Sequence, residues 1–459
     1  MTQPILEKEF RPAIVELRKF NEDVLKEKHQ HLVIAILRNG GYVYRKEIDV
    51  FADGIDDKRN VFIVERIIKS ILWVVGGYKI YIHGSKVIAD KIKEYYQDGG
   101  LRDFDFHFMA NVYEHEVEVQ YVEKLADMPK EKSSSIPCGG FTKGRRIGFD
   151  AGGSDRKVSA VIDGNSIYSE ETIWFPKLQS DPQYHFDGIY DSMKRAVEKL
   201  GGDVDAIGVS SAGIYIDNKA MVASLFIKVP RDQFDAHVKN IYMDVVAKLE
   251  KELGHKIPLV VANDGDVTAL GGALELKDNC VLGIAMGTSE AVGYVDENGN
   301  LTGWLSELAF VPVDFNKDAM VDEWSLDFGV GCKYFSQDAV IKLAPRAGIQ
   351  LDEKLSLAEK LKEVQKLMEQ NDDRARKIYE SIGVYLAYAL AYYAEFYKIK
   401  HVLLLGRVTS GLGGDIILDV CKKTIDKEFK EYSDISIGMP SEYLRRVGQS
   451  ITAASLPKD

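Results

Sequence analysis

The chain has 459 residues, 46% hydrophobic and 28% charged, with a formal net charge of −12. This is a globular composition long enough for more than one domain, and its acidic balance excludes non-specific nucleic-acid or anionic-membrane binding except through a local basic patch. No apolar run approaches a membrane span, Met1 to Phe10 is too polar for a signal peptide, and the four cysteines (Cys138, Cys280, Cys332, Cys421) form no C-x-x-C, so a cytoplasmic protein without disulfides or an obvious zinc site is expected.

Residues 1–30 are charged and helix-like, with Ile14, Val15, Leu17 and Phe20 as an apolar stripe. His31 to Leu37 and Tyr42 to Phe51 read as strands joined by Arg38-Asn39-Gly40-Gly41, a hairpin signal. A helix follows over Val61 to Val75, then a strand over Tyr78 to Ile82, the turn His83-Gly84-Ser85 and a helix from Lys86 to Tyr96. Val117 to Tyr121 reads as a further strand. Pro129 to Gly140 is the clearest linker, so a boundary is expected at 140.

Arg145 opens a strand, a glycine hairpin and a second strand. Ile147, Phe149 and Ala151 alternate with Gly148 and Asp150, Gly152 and Gly153 make the turn, and Lys157 to Val161 alternates again. A carboxylate followed by side-chain-free backbone can hold a metal-bound phosphate; an ordinary hairpin uses the same residues. Next come a strand over Asn165 to Phe175, a helix from Tyr184 to Leu200 and a strand from Ala206 to Ser210 ending in Ser-Ser-Ala-Gly. A long helix is expected over Gln233 to Gly254 and a strand over Leu259 to Ala262, ending at Asn263-Asp264-Gly265-Asp266. Asp264 at a strand end suits a proton acceptor, while an Asx turn capping the helix Val267 to Leu276 suits the same residues. The pattern then partly repeats, with strands over Cys280 to Met286 and Ala291 to Val295 around Gly287-Thr288-Ser289. Helical stretches over 353–371 and 373–397 precede the strand Val402 to Leu405 and the glycine-rich Gly406 to Gly414. Tyr385, Tyr388, Tyr392, Tyr393 and Tyr397 form a stripe that fits a core helix better than a homodimer face.

From about residue 145 the ordered motifs resemble the ROK family of sugar kinases and repressors, within the actin-like, hexokinase-like superfamily. Asp150-Ala151-Gly152-Gly153-Ser154-Asp155 is similar to the family's first phosphate turn, with an acid at Asp155 in place of an amide. Ile207 to Gly213 resembles the strand and turn near the sugar, which assigns Ser211 and Gly213 to substrate. Ala262 to Gly271 resembles the stretch that carries the catalytic aspartate, here Asp264, and a sugar-binding amide, here Asn263. Gly287-Thr288 resembles the second phosphate turn, although Glu290 adds an acid there. Glu307 matches the sugar-binding glutamate of Gly303 to Phe310, but Phe310 stands where a histidine would bind sugar and zinc. Ser325 to Cys332 aligns with the zinc motif and keeps only Cys332 as a thiol, so no structural zinc is expected. Leu403 to Val408, with Gly406, takes the place of the adenosine turn, where Arg407 and Val408 could crowd the nucleotide. Ala223-Ser224-Leu225 replaces a sugar-contacting Asn-Leu pair, and Arg445 to Leu456 resembles the closing helix.

The resemblance implies an α/β fold of two actin-like (ribonuclease H-like) lobes around a cleft, spanning residues 141–270, closed by 440–459, and 271–439. Residues 1–140 would form an N-terminal α/β accessory domain. It implies an ATP- and Mg²⁺-dependent kinase acting on a small-molecule carbohydrate. Asp264 would be the general base. Gly152, Gly153, Ser154, Gly287, Thr288 and Gly406 would hold ATP, with Mg²⁺ near Asp150. The changes at Asp155, Glu290, Phe310 and Arg407 leave a non-catalytic sugar or nucleotide sensor as the alternative. A repressor fits less well, because residues 1–140 carry 21 Lys+Arg against 23 Asp+Glu and lack a basic footprint for nucleic acid.

Overall fold

In the computed structural model, Gly40 and Gly41 take positive φ and turn the chain between β1 (His29–Leu37) and β2 (Val43–Phe51). With β3 (Lys79–His83) and β4 (Glu118–Tyr121) these make a sheet of order β2-β1-β3-β4, in which only β3 and β4 pair parallel. The helix expected from Val61 starts earlier, at Asp57, because the Asp56 carboxylate accepts the Arg59 amide hydrogen and caps it. The structure describes residues 1–133, 137–442 and 448–458, so part of the linker lies outside the described residues.

The sheet that follows has five strands: β5 (Arg145–Ala151), β6 (Asp155–Ile162), β7 (Asn165–Ile173), β8 (Ala206–Ser211) and β11 (Leu259–Asn263), while β9 (Ile214–Ile216) and β10 (Lys219–Val222) form a small separate ribbon. Its order is β11-β8-β5-β6-β7. The first three pair parallel and the hairpin strands antiparallel, as an actin-like lobe requires. Period-two alternation decides its faces. Ile147, Phe149, Ile207 and Val209 face a core with Ile189, Met193, Val197, Val245 and Leu249, from the helices Pro182–Lys199 and Ile241–Leu253. On the other face, Gly148 and Gly208 let the helix Gln449–Ala454 lie against the backbone: an added Cβ would come within 1.7 Å of the Ser450 and Ala453 carbonyl oxygens. Buried Arg146 donates to the Ala454 and Pro457 carbonyls at the end of that helix (3.3 and 2.8 Å). Residues 443–447 of the closing helix expected over Arg445 to Leu456 lie outside the described residues.

The helix expected over Gln233 to Gly254 is interrupted. Phe234–Val238 winds as a π turn and regular helix resumes at Ile241. There the Lys239 carbonyl accepts from the Ala220 amide (2.9 Å) and leaves the helix ladder.

A last sheet has the order β13-β12-β14-β15, from β12 (Val281–Met286), β13 (Glu290–Val295), β14 (His401–Leu405) and β15 (Ser436–Gly438). A helix not anticipated, Gln337–Arg346, is capped by Ser336, and Leu357–Glu369 starts at a capping box of Ser356 and Glu359. Helix Asp373–Tyr393 is a core helix: Tyr385, Tyr388, Tyr392 and Tyr393 are at most 2% exposed.

Contacts divide the chain into two compact units. The first comprises Met1–Ser134, Ile284–Val292 and Trp304–Gly438; the second comprises Ser135–Gly283, Gly293–Gly303 and Met439–Asp459. Among the described residues no helix is long and apolar enough to cross a membrane, and the four cysteines are buried and free.

Candidate functional site

In the second unit, three motifs leave the sheet at one row. Ser211 at the end of β8 pairs with Ala151 of β5 on one side and Asn263 of β11 on the other. The Gly152–Ser154 turn, Ala212-Gly213 and Asp264 therefore emerge from the carboxyl ends of three parallel strands. In open α/β sheets that edge is where ligands bind.

Asp150 and Ser210 are register partners on the face toward the C-terminal helix, and Ser210 Oγ donates to Asp150 Oδ1 (2.8 Å). Gln449 Nε2 reaches both Ser210 Oγ (3.0 Å) and the Asp264 carbonyl (2.7 Å). Thr268 Oγ1 lies 3.0 Å from Gln449 Oε1 and 2.8 Å from the Asp264 carbonyl. One network thus links Asp150 to the backbone of Asp264. Ser210 follows from strand parity, since it lies opposite Asp150. Gln449, 239 residues beyond Ser210 and 185 beyond Asp264, gives no local signal. Burial pushes the Asp150 carboxyl up to about 6, with Asp264 adding to the rise and Ser210 opposing it.

Asn263 is the N-cap of the helix Asp264–Leu276: its Oδ1 accepts from the Gly265 amide (2.8 Å) and its Nδ2 donates to the Gly213 carbonyl (2.7 Å). The capping geometry expected of an Asx turn is therefore present at the same residues as the candidate base. Asp264 Oδ1 also accepts from the Gly265 amide (3.0 Å). Burial raises the Asp264 carboxyl above its ordinary range, opposed by the Gly265 amide and by the Lys177 charge. A carboxyl raised in this way holds a proton more tightly than an ordinary one. Asp150 and Asp264 offer only oxygen donors, which fits a hard divalent cation such as Mg²⁺.

The glycine turn is braced from behind. Trp174 Nε1 donates to the Gly152 carbonyl (2.8 Å) and the Trp174 amide to the Ser154 carbonyl (3.2 Å), while Ser154 Oγ lies 3.1 Å from Asp155 Oδ2. Ser211 is fully buried, and its Oγ accepts from Tyr215 (2.6 Å) and Tyr242 (2.8 Å).

The remaining candidates belong to the first unit. The Gly287 carbonyl accepts from the Gln337 amide (2.9 Å), and Thr288 Oγ1 accepts from Arg407 Nη2 (2.8 Å). Gly406 has φ 96°, and a Cβ there would stand 2.3 Å from the Met286 carbonyl oxygen, so this turn needs glycine. Glu290 is 4% exposed, and burial drives its carboxyl well up, toward the neutral form. The acid expected to add negative charge at the second turn is therefore a buried one. Glu307 is half-buried and its amide donates to the Trp73 carbonyl (2.9 Å).

No family model and no curated protein matches the sequence. Solved structures do match. A ROK hexokinase from Thermus thermophilus is 14% identical; the match covers 68% of this chain and 96% of that one, with a TM-score of 0.52. The fold is that of the ROK hexokinases. A ROK family glucokinase from Streptomyces griseus, solved with glucose and AMPPNP, is 20% identical, with 68% and 98% of the two chains covered and a TM-score of 0.47. A ROK family transcriptional regulator, a homolog of the E. coli MLC protein, is 14% identical, with 68% and 77% covered and a TM-score of 0.49.

Within this ROK fold, Phe310 packs against Trp73 and Phe104, with ring centroids 4.3 and 5.4 Å away. Cys332 Sγ donates to Asp322 Oδ1 (3.5 Å), and burial pushes its thiol far up. Ser325 Oγ donates to Asp322 (2.8 Å), and Asp327 pairs with Arg66, Lys69 and Arg102. These donors do not fit a four-ligand zinc site. Among the described residues, three metal-ligating groups converge only at exposed Asp98, Asp103 and His107.

Proposed function

We propose that this chain is an ATP-dependent sugar kinase, with Asp264 as the base that takes the proton of the attacking sugar hydroxyl. The observation that carries the reading is the common row from which the glycine turn, Gly213 and Asp264 leave the sheet. Phosphoryl transfer asks a protein chiefly for positioning and charge stabilisation, and a backbone turn beside a held carboxylate supplies both. Gly152, Gly153 and Ser154 would take phosphate oxygens, with Gly287, Thr288 and Gly406 assigned to the nucleotide by resemblance. Asn263 and Gly213 would bind the carbohydrate, with Glu307 assigned to it by resemblance, and the Asn263 amide would keep its cap while offering its remaining hydrogen. Ser211 would support them from beneath through its tyrosine bonds. Mg²⁺, held by Asp150, would neutralise charge on the phosphates when bound.

The test records thermal stability with and without Mg-ATP, and ATP consumption against hexoses, N-acetylhexosamines and sugar acids. Turnover with one sugar is expected. Asp264→Asn should lower it by about 10²- to 10⁴-fold with the melting curve preserved. A second reading, a sugar or nucleotide sensor without turnover, is favoured by the Arg407 bond that occupies the Thr288 hydroxyl. It predicts ligand-dependent stabilisation and no ATP consumption with any sugar.

A further inference from the structure

The proposed kinase places phosphates at the Gly152–Ser154 turn, with Mg²⁺ at Asp150 but no cationic side chain of the protein beside them. We propose that Lys177 is that side chain, a lysine that binds the terminal phosphates of a triphosphate chain, nucleoside or inorganic, at this turn. The inference rests on the functional reading above. It is drawn from three observations.

Lys177 belongs to the short 3-10 turn Pro176–Leu178, which begins two residues after Trp174. Trp174 is 1% exposed and bonds to the backbone on both sides of Gly153, through the Gly152 and Ser154 carbonyls. The Pro176 carbonyl accepts from His185 Nε2 (3.0 Å), and Pro176 is buried. The segment that carries Lys177 is therefore fastened to the glycine turn, and the lysine is not on a free loop.

The side chain lies over the turn. Its Nζ is 3.4 Å, and its Cε 3.3 Å, from the position a Cβ on Gly153 would take. A side chain at residue 153 would crowd the lysine.

Lys177 is unspent. No carboxylate lies within ion-pair distance of it among the described residues. The other cations nearby are committed: Lys157 Nζ lies 3.7 Å from both Asp155 and Glu171, and Arg156 bonds Ser192 (2.9 Å) and stacks on Trp174. An ammonium held beside a backbone turn, without an anion of its own, is suited to a phosphate oxygen, which accepts strong charge-assisted hydrogen bonds. Lys177 is itself exposed, and its fixed place beside the glycine turn is what distinguishes it from other solvated lysines.

The experiment is calorimetric titration of the full chain with tripolyphosphate and, separately, with Mg-ATP. It compares the wild type, Lys177→Met, Lys177→Arg and the control Lys157→Met. Lys177→Met should weaken tripolyphosphate by about tenfold or more, the worth of one charge-assisted bond. Its affinity should also fall less steeply with salt. Lys177→Arg should recover most of the loss, and Lys157→Met should stay within about twofold of wild type. Equal affinity of wild type and Lys177→Met overturns the proposal, as does a wild type that binds no tripolyphosphate. Tripolyphosphate bound without ATP would still support it and assign the site to inorganic polyphosphate. Sugar-dependent ATP consumption is assayed in parallel. Lys177-dependent phosphate binding without turnover upholds the lysine and removes the kinase.

Discussion

Asp266, two residues beyond Asp264 in the helix Asp264–Leu276, shows what burial does to a single carboxyl. It is pushed up to about 7, mainly by loss of water, with Asp264 adding to the rise and the Tyr294 amide, which donates to its Oδ1 (3.1 Å), opposing it. A folded-state pKa raised above the unfolded value means that the native state binds the proton more tightly. The stability this gives is complete below the unfolded value of about 4 and is lost as pH rises through 7. Asp150, at about 6, acts in the same direction over a narrower window. Asp266→Asn keeps an acceptor for Tyr294 and removes the titration. The variant should gain on the wild type steadily between about pH 4 and 7, by more than about 1 kcal/mol in total, and then run parallel to it. Urea melts across that range would show this; parallel curves throughout would exclude a raised Asp266.

At the scale of elements, the helix Asp57–Val74 carries three charges into the interior of the first unit. Arg66 pairs with Glu65 (2.7 Å) and Asp327 (2.9 Å), and Lys69 with Asp105 (3.0 Å) and Asp327 (3.2 Å). Arg102 reaches Glu65 (2.6 Å) and Asp327 (2.9 Å). All six residues are at most 5% exposed. Such a cluster adds little net stability when complete, because desolvation opposes the Coulomb attraction, but removing one member leaves buried charge uncompensated. Asp327→Asn should therefore cost about 3–5 kcal/mol in chemical denaturation. A loss under about 1 kcal/mol would mean that water already reaches the cations.

The cluster also marks the limit of sequence reading. Alternation and turn chemistry are local, so they locate β5, β6 and the Asn263-Asp264 helix start. They could not reveal a pairing of Arg66 with Asp327, 261 residues apart in sequence. Parity along one strand would have found Ser210. The π turn in Phe234–Val238 escaped because the Lys239 carbonyl is claimed by Ala220, a partner from another element.

At the scale of the whole molecule, residues 1–133 belong to the same compact unit as 304–438, and the contacts explain why. Trp73 and Phe104 cover Phe310, Tyr392 donates to Ser70 (2.7 Å), and Glu7 meets Lys342 (3.1 Å) and the Tyr385 hydroxyl. Phe10 packs edge-on to Tyr385 at 4.8 Å. Deleting residues 1–133 would uncover the tyrosine helix Asp373–Tyr393, strip Asp327 of its three cations and bare Phe310. Each alone is a large loss, and together they exceed the 5–15 kcal/mol by which a domain is normally stable. A chain of residues 134–459 should keep far-ultraviolet circular dichroism, lose the near-ultraviolet signal of packed tyrosines and bind a hydrophobic dye, the signature of collapse without fixed packing. A sharp cooperative melt with near-ultraviolet dichroism retained would instead mean that the ROK fold stands without its N-terminal segment, and that the contacts at Phe310 and Asp327 are dispensable to it.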